Sequence, residues 1–186
     1  PDRPALIGEA GVVTFGELDR LGRQLGRALR ERGIGDRNTV VALGAFGPVQ
    51  FATCLACLRL GVPMVALDPE RSVLRNRQAA ALGRAAAIVC DEDASSQVAH
   101  DIDSGLPVLT LDSVAGVEAE DFDDGSDDAS ALVIFTSGST GLPKGVVRSR
   151  HAMAEALRIR RHVLEIGRDD RMAFVGSSSV SGSHLN

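Results

Sequence analysis

The chain has no tryptophan and no tyrosine, and its aromatic content is six phenylalanines. That removes the stacking platforms on which single-stranded nucleic acid is usually held. A net charge of −5 gives no general attraction to polyanions or anionic membrane, so any phosphate must be bound locally. No apolar run approaches the roughly 20 residues that cross a bilayer, and the first residues lack the pattern of a signal peptide. The expectation is a cytoplasmic protein with no membrane or nucleic-acid partner. Three cysteines are too few for a disulfide framework. Cys54 and Cys57 form a C-x-x-C, but they lie in an apolar, helix-like segment without a second pair or histidines, and are read as buried packing. Lysine is scarcest of all: Lys144 stands alone against nineteen arginines.

What is present describes a globular α/β chain. The 186 residues are 44% apolar and 24% charged, enough for one domain or a large piece of a bigger one. Short β-rich runs, Pro4 to Ile7 and Val12-Val13, precede Thr14, which with Glu17 forms a capping box. Leu18, Leu21, Leu25 and Leu29 then recur at helical spacing opposite Arg20, Arg23, Arg27 and Arg30, a row read as a solvated face. Strands are expected at Thr39 to Leu43, Met64 to Leu67, Ala86 to Cys90, Val108 to Leu111, Ala131 to Phe135 and Arg171 to Val175. Helices are expected from Pro48 to Leu60, from Ser72 to Leu82 and from Ser149 to Glu165, with only a polar segment between Cys90 and Pro107. Strands alternating with helices imply a mostly parallel sheet with helices on both faces.

Glu118 to Asp128 carries seven acids in eleven residues and reads as a solvated linker without metal-ligand spacing. It divides the chain into an α/β subdomain over 1–117, an acidic linker over 118–130, and a phosphate-loop βαβ segment over 131–186, incomplete at its C-terminus.

The chemistry concentrates after the apolar run 131–135. Gly138, Gly141 and Gly145 let the backbone approach a ligand so that N–H groups converge on an anion. Thr136, Ser137, Ser139 and Thr140 add hydroxyl donors, and Lys144 adds a slim cation that can follow a departing phosphate. A loop at the carboxyl end of a buried strand also sits where open α/β sheets place ligands. A P-loop is disfavoured, because Pro143 precedes the lysine and Gly145 replaces the magnesium-binding hydroxyl.

The run Thr136-Ser137-Gly138-Ser139-Thr140-Gly141-Leu142-Pro143-Lys144-Gly145 resembles, position for position, the phosphate-loop signature of the adenylate-forming enzymes. These include acyl-CoA synthetases and the adenylation domains of non-ribosomal peptide synthetases. Val13 to Leu18 resembles their early T-Y-x-E-L element, and Leu58 to Pro69 their L-K-A-G-x-A-Y-V-P-I-D-P element. The resemblance implies the N-terminal part of the large domain of such an enzyme. It implies ATP with Mg2+ as cofactors, a carboxylic acid substrate, and a carrier-protein phosphopantetheine or coenzyme A as thiol acceptor. It assigns Lys144 a catalytic role and Thr136, Ser137, Gly138, Ser139, Thr140 and Gly141 to ATP's outer phosphates. Two positions depart from the pattern. The family's G-V-x-x-x-H histidine falls at Arg150, leaving His151 beside it as a substrate-site candidate. Ser181 takes the place of the aspartate that pairs with an amino-acid substrate's ammonium group. The alternative to a ligase is a non-catalytic nucleotide-binding or scaffold module built on the same fold. The family's adenine pocket, ribose aspartate and terminal catalytic lysine are expected beyond Asn186, and the fragment by itself is expected not to turn over.

Overall fold

In the computed structural model the described residues are 1–8, 11–35, 37–91, 93–122, 126–137 and 143–173. Two antiparallel strands, β1 (Pro4–Gly8) and β2 (Gly11–Thr14), form a small ribbon at the start of the chain. Helix α1 (Phe15–Glu31) begins at the expected cap: the Thr14 hydroxyl accepts from the Glu17 N–H at 3.2 Å, and the Glu17 carboxylate accepts from the Thr14 N–H at 2.8 Å. Pro48 at the first turn opens α2 (Pro48–Leu60), and Gly61 closes it at φ 68°, a left-handed position that only glycine takes without cost.

The remaining elements are β3 (Thr39–Leu43), β4 (Met64–Leu67), α3 (Val73–Leu82), β5 (Ala85–Cys90), α4 (Asp93–Ile102), β6 (Val108–Thr110), β7 (Ser130–Ser137), β8 (Pro143–Ser149) and α5 (Arg150–Val163). Six of the strands make one sheet in the order β6-β5-β3-β4-β7-β8. Every neighbouring pair is parallel except β7 with β8, which are antiparallel. The sheet is therefore mostly parallel with helices on both faces, as the strand–helix alternation implies.

Strand β3 is buried along its whole length, and alternate residues serve opposite layers. Val40 and Ala42 join Leu25, Leu29, Val49 and Leu60 from α1 and α2, whereas Val41 and Leu43 join Ala79, Ala80, Ala99 and Ile102 from α3 and α4. On the first face α1 and α2 pack closely because Gly22 leaves no Cβ, which would lie 2.8 Å from the Leu55 Cβ. Cys57 is part of this layer and Cys54 packs against it. Burial pushes the Cys54 thiol up to about 11 and Cys57 well above its ordinary value, in keeping with packing rather than redox chemistry.

Three expectations need correction. The stretch between Cys90 and Pro107 contains helix α4, whose apolar anchors among the described side chains are Val98, Ala99 and Ile102. That is too few for a visible stripe, and the sheet face supplies what the pattern lacks. The acidic run is not simply solvated: Glu118 pairs with Arg27 at 3.1 Å and Glu120 with Arg30 at 2.6 Å. Phe122 lies under the Arg30 guanidinium, 4.3 Å from ring centre to Cζ. The Gln24 side chain adds donors to the Ala115 and Val117 carbonyls at 2.9 and 2.8 Å. The arginine row of α1 thus faces the protein's own acids, Arg23 pairing with Asp19 as well. Finally, Pro143–Ser149 forms a strand, β8, that the pattern did not single out, and it pairs antiparallel with β7. Of the strand expected at Arg171 to Val175, residues 171–173 form no ladder, and the rest falls outside the described residues.

Candidate active site

Because β3, β4, β5 and β7 run parallel, the segments that follow them emerge on one edge of the sheet, where open α/β folds bind ligands. Strand β7 brings Ser137 to that edge, and β8 starts back with Pro143 and Lys144, so that Thr136 pairs with Lys144 and Ser137 with Pro143. Residues 131–134 bury β7 in the sheet, whereas Lys144 is exposed at the mouth of the hairpin. Gly145 is opposite Phe135, and a Cβ there would come within 3.2 Å of the Phe135 ring and 3.3 Å of Val133. The glycine after the lysine therefore lets β8 lie flat across the Phe135 ring, which holds the lysine-bearing end of the hairpin in register.

Thr136 and Ser137 are thus brought to the backbone beside Lys144. Gly138, Ser139, Thr140 and Gly141 lie outside the described residues, as does Ser181. His151 is not brought to Lys144. Strand β8 separates them by about 17 Å of extended chain, at ~3.4 Å per residue. The His151 N–H donates to the Asp127 carbonyl at 3.0 Å and the Arg150 N–H to the Ala129 carbonyl at 2.9 Å, which ties the start of α5 to the amino end of β7.

The same edge carries residues that motif reading passed over. Asp91 follows β5 directly, and its Oδ2 lies 2.8 Å from where a Gly44 Cβ would stand. Partial burial pushes its pKa up. Asp68 follows β4; its Oδ1 accepts the Glu70 N–H at 3.0 Å, and its carbonyl accepts the buried Asn76 side chain at 2.9 Å. Gln50, from the first turn of α2, donates to the Gly44 carbonyl at 3.2 Å. A polar residue directly after a buried strand, or buried within an alanine-rich helix, is the signal that could have found them. Among the described residues no group of three or more His, Cys, Asp or Glu side chains could hold a metal ion.

The family model of the AMP-binding enzymes matches residues 1–184, and the chain belongs to that family, the adenylate-forming superfamily. A dimodular nonribosomal peptide synthase of Bacillus subtilis (strain 168) is 29% identical over 192 residues, matching all of this chain and 8% of its own length. Among solved structures, an AMPPNP-bound form of the nonribosomal peptide synthetase FmoA3 superposes with a TM-score of 0.85 at 24% identity, covering 99% of this chain and 19% of that one. Apo MatB from Rhodopseudomonas palustris gives a TM-score of 0.84 at 20% identity, covering all of this chain and 39% of that one. The chain therefore spans only a small part of the length of these relatives.

Proposed function

We propose that the protein carrying this chain activates a carboxylic acid with ATP, forming an acyl-adenylate, and then passes the acyl group to a thiol. A carboxylate oxygen attacks the α-phosphorus; the bond to the bridging oxygen of the β-phosphate breaks, and pyrophosphate leaves with that electron pair. The thiolate of a carrier-protein phosphopantetheine, or of coenzyme A, next attacks the acyl carbon and expels AMP. The observation that carries this reading is the placement of Lys144, exposed where β8 begins and paired with Thr136 at the carboxyl end of β7.

In this reading Lys144, with Thr136, Ser137 and residues 138–141, holds the β- and γ-phosphates. A positioned cation offsets the charge that builds on the leaving pyrophosphate. The donor set fits a polyphosphate: a compact ammonium, hydroxyls and glycine backbone. Magnesium would arrive with the nucleotide. Among the described residues no group of three or more His, Cys, Asp or Glu side chains would hold it, and it would supply charge neutralisation at the phosphates. Ser181 in place of an aspartate points to an aryl, acyl, hydroxy or keto acid, since a hydroxyl gives no ion pair to an α-ammonium group.

Acid-dependent exchange of labelled pyrophosphate into ATP by the intact protein that carries this chain tests the class. The Lys144→Ala variant should lower kcat/KM for exchange by about 100- to 1000-fold with an unchanged melting curve. No exchange with any acid in the parent protein would favour a non-catalytic scaffold. A clear preference for free α-amino acids would overturn the reading of Ser181.

A further inference from the structure

On the opposite edge of the sheet from Lys144, before β5 and β6 begin, lies a cavity of about 260 Å³. Its floor is apolar: Ala80 and Ile102 are buried and Leu106 is partly so. Arg77, Arg84 and Asp103 also line it, and all three are exposed. The Arg77 Nε donates to the Asp101 carbonyl at 2.5 Å, which holds that side chain toward the start of the α4–β6 connection. The Arg84 guanidinium has no hydrogen-bond or ion-pair partner among the described residues.

Arg84, like Glu165 after α5, takes a left-handed position without being glycine. Helices α1 and α2 end with glycine in the left-handed region, Gly33 at φ 76° and Gly61 at φ 68°. After α3 the glycine comes one residue early. Gly83 has φ −73° and sits in a tight space, where a Cβ would lie 3.0 Å from the Ala79 carbonyl oxygen and 3.2 Å from Val65. The left-handed position, φ 57°, then falls to Arg84. A bulky side chain in that region is unfavourable and persists only when something else holds it there.

We propose that this cavity is a second ligand site, for a short monocarboxylate with a branched or linear hydrocarbon tail. The planar fork of Arg84 matches a carboxylate in two-point geometry, and the floor takes the tail. Asp103 on the same rim disfavours phosphate and sulfate dianions. The volume is at the low end for ligand pockets, which suits a small molecule. The site is distinct from the acid-activating one, because the strands separate them.

Isobutyrate is the probe, titrated into the purified protein with 13C-labelled alanine methyls. Ala80, Ala81 and Ala85, which line the cavity, report binding there and not at the phosphate loop. Saturable shifts at these methyls are expected in the parent and equally in Lys144→Ala, so a failure of the adenylation reading leaves this test intact. Arg84→Gly should weaken binding about tenfold or more, the loss of a charge-assisted pair, while melting no lower than the parent because glycine relaxes the turn. Shifts that do not saturate, that sulfate reproduces equally, or that survive Arg84→Gly would each overturn the proposal.

Discussion

The centre of the sheet and its β8 edge are built to different standards. Strand β3 is buried at every residue, and the helices that cover it present Leu25, Leu29, Val49 and Ala56 at 1% exposure or less. At the other edge, α5 contains no buried residue, and Val147, Leu157 and Val163 are 59%, 62% and 68% exposed. The hairpin that carries Lys144 joins the sheet through β7, which pairs with β4. Stability and the candidate chemistry therefore reside in different places: the central layers supply the free energy, and the edge supplies an accessible cation with little of its own packing.

Paired truncations are the sharpest way to break this contrast. Leu25→Ala should cost about 2–5 kcal/mol in chemical denaturation, because it empties a fully buried site, while Leu157→Ala on α5 should stay within about 0.5 kcal/mol. Similar losses for both would mean that α5 is packed more heavily than its exposure indicates. Within the central layers, two glycines of α1 differ in what they face. Gly22→Ala drives a Cβ against the Leu55 Cβ, which cannot swing away, and should cost about 1–3 kcal/mol in the same measurement. Gly26→Ala meets the tip of the half-buried Phe122 ring, so its cost should be clearly smaller. Equal costs would show that the 118–122 segment is held as rigidly as α2.

A more modest effect than the core truncation belongs to the cap of α1. Hydrogen bonds from the Thr14 N–H and then the Thr14 hydroxyl hold the Glu17 carboxyl below its ordinary value. A carboxylate with a lowered folded-state pKa contributes stability above the unfolded value, near about 4.3, and loses it as pH falls through the folded one. Thr14→Ala should cost about 1 kcal/mol at neutral pH, and the gap between parent and variant should narrow under acid, as read from melting temperatures between pH 7 and 3. A gap independent of pH would assign the cap to the threonine alone.

Much of the fold was legible because its signals are local. Thr14 and Glu17 mark the start of α1, Pro48 and Gly61 bracket α2, and the continuous apolar runs of β3 and β5 mark strands buried on both faces. The proposed phosphate-binding role of 136–145 likewise rests on a local signal, its hydroxyls, glycines and lysine being contiguous. Helix α4 was not legible, because its few apolar residues become an anchor only against Ile88 and Val41 of the sheet. The acidic run misled because its partners, Arg27 and Arg30, lie some ninety residues earlier in the chain.

Short-range chemistry alone decided where α1 starts and where α2 stops, since each of those choices is made by side chains a few positions apart. Tertiary structure alone decided that β8 turns back beside β7, that His151 is carried away from Lys144, and that Arg84 bears the left-handed turn after α3. Those outcomes depend on which strands become neighbours and on the space that Val65 and Phe135 leave, and such distances across the sheet are set by packing between segments remote in the chain.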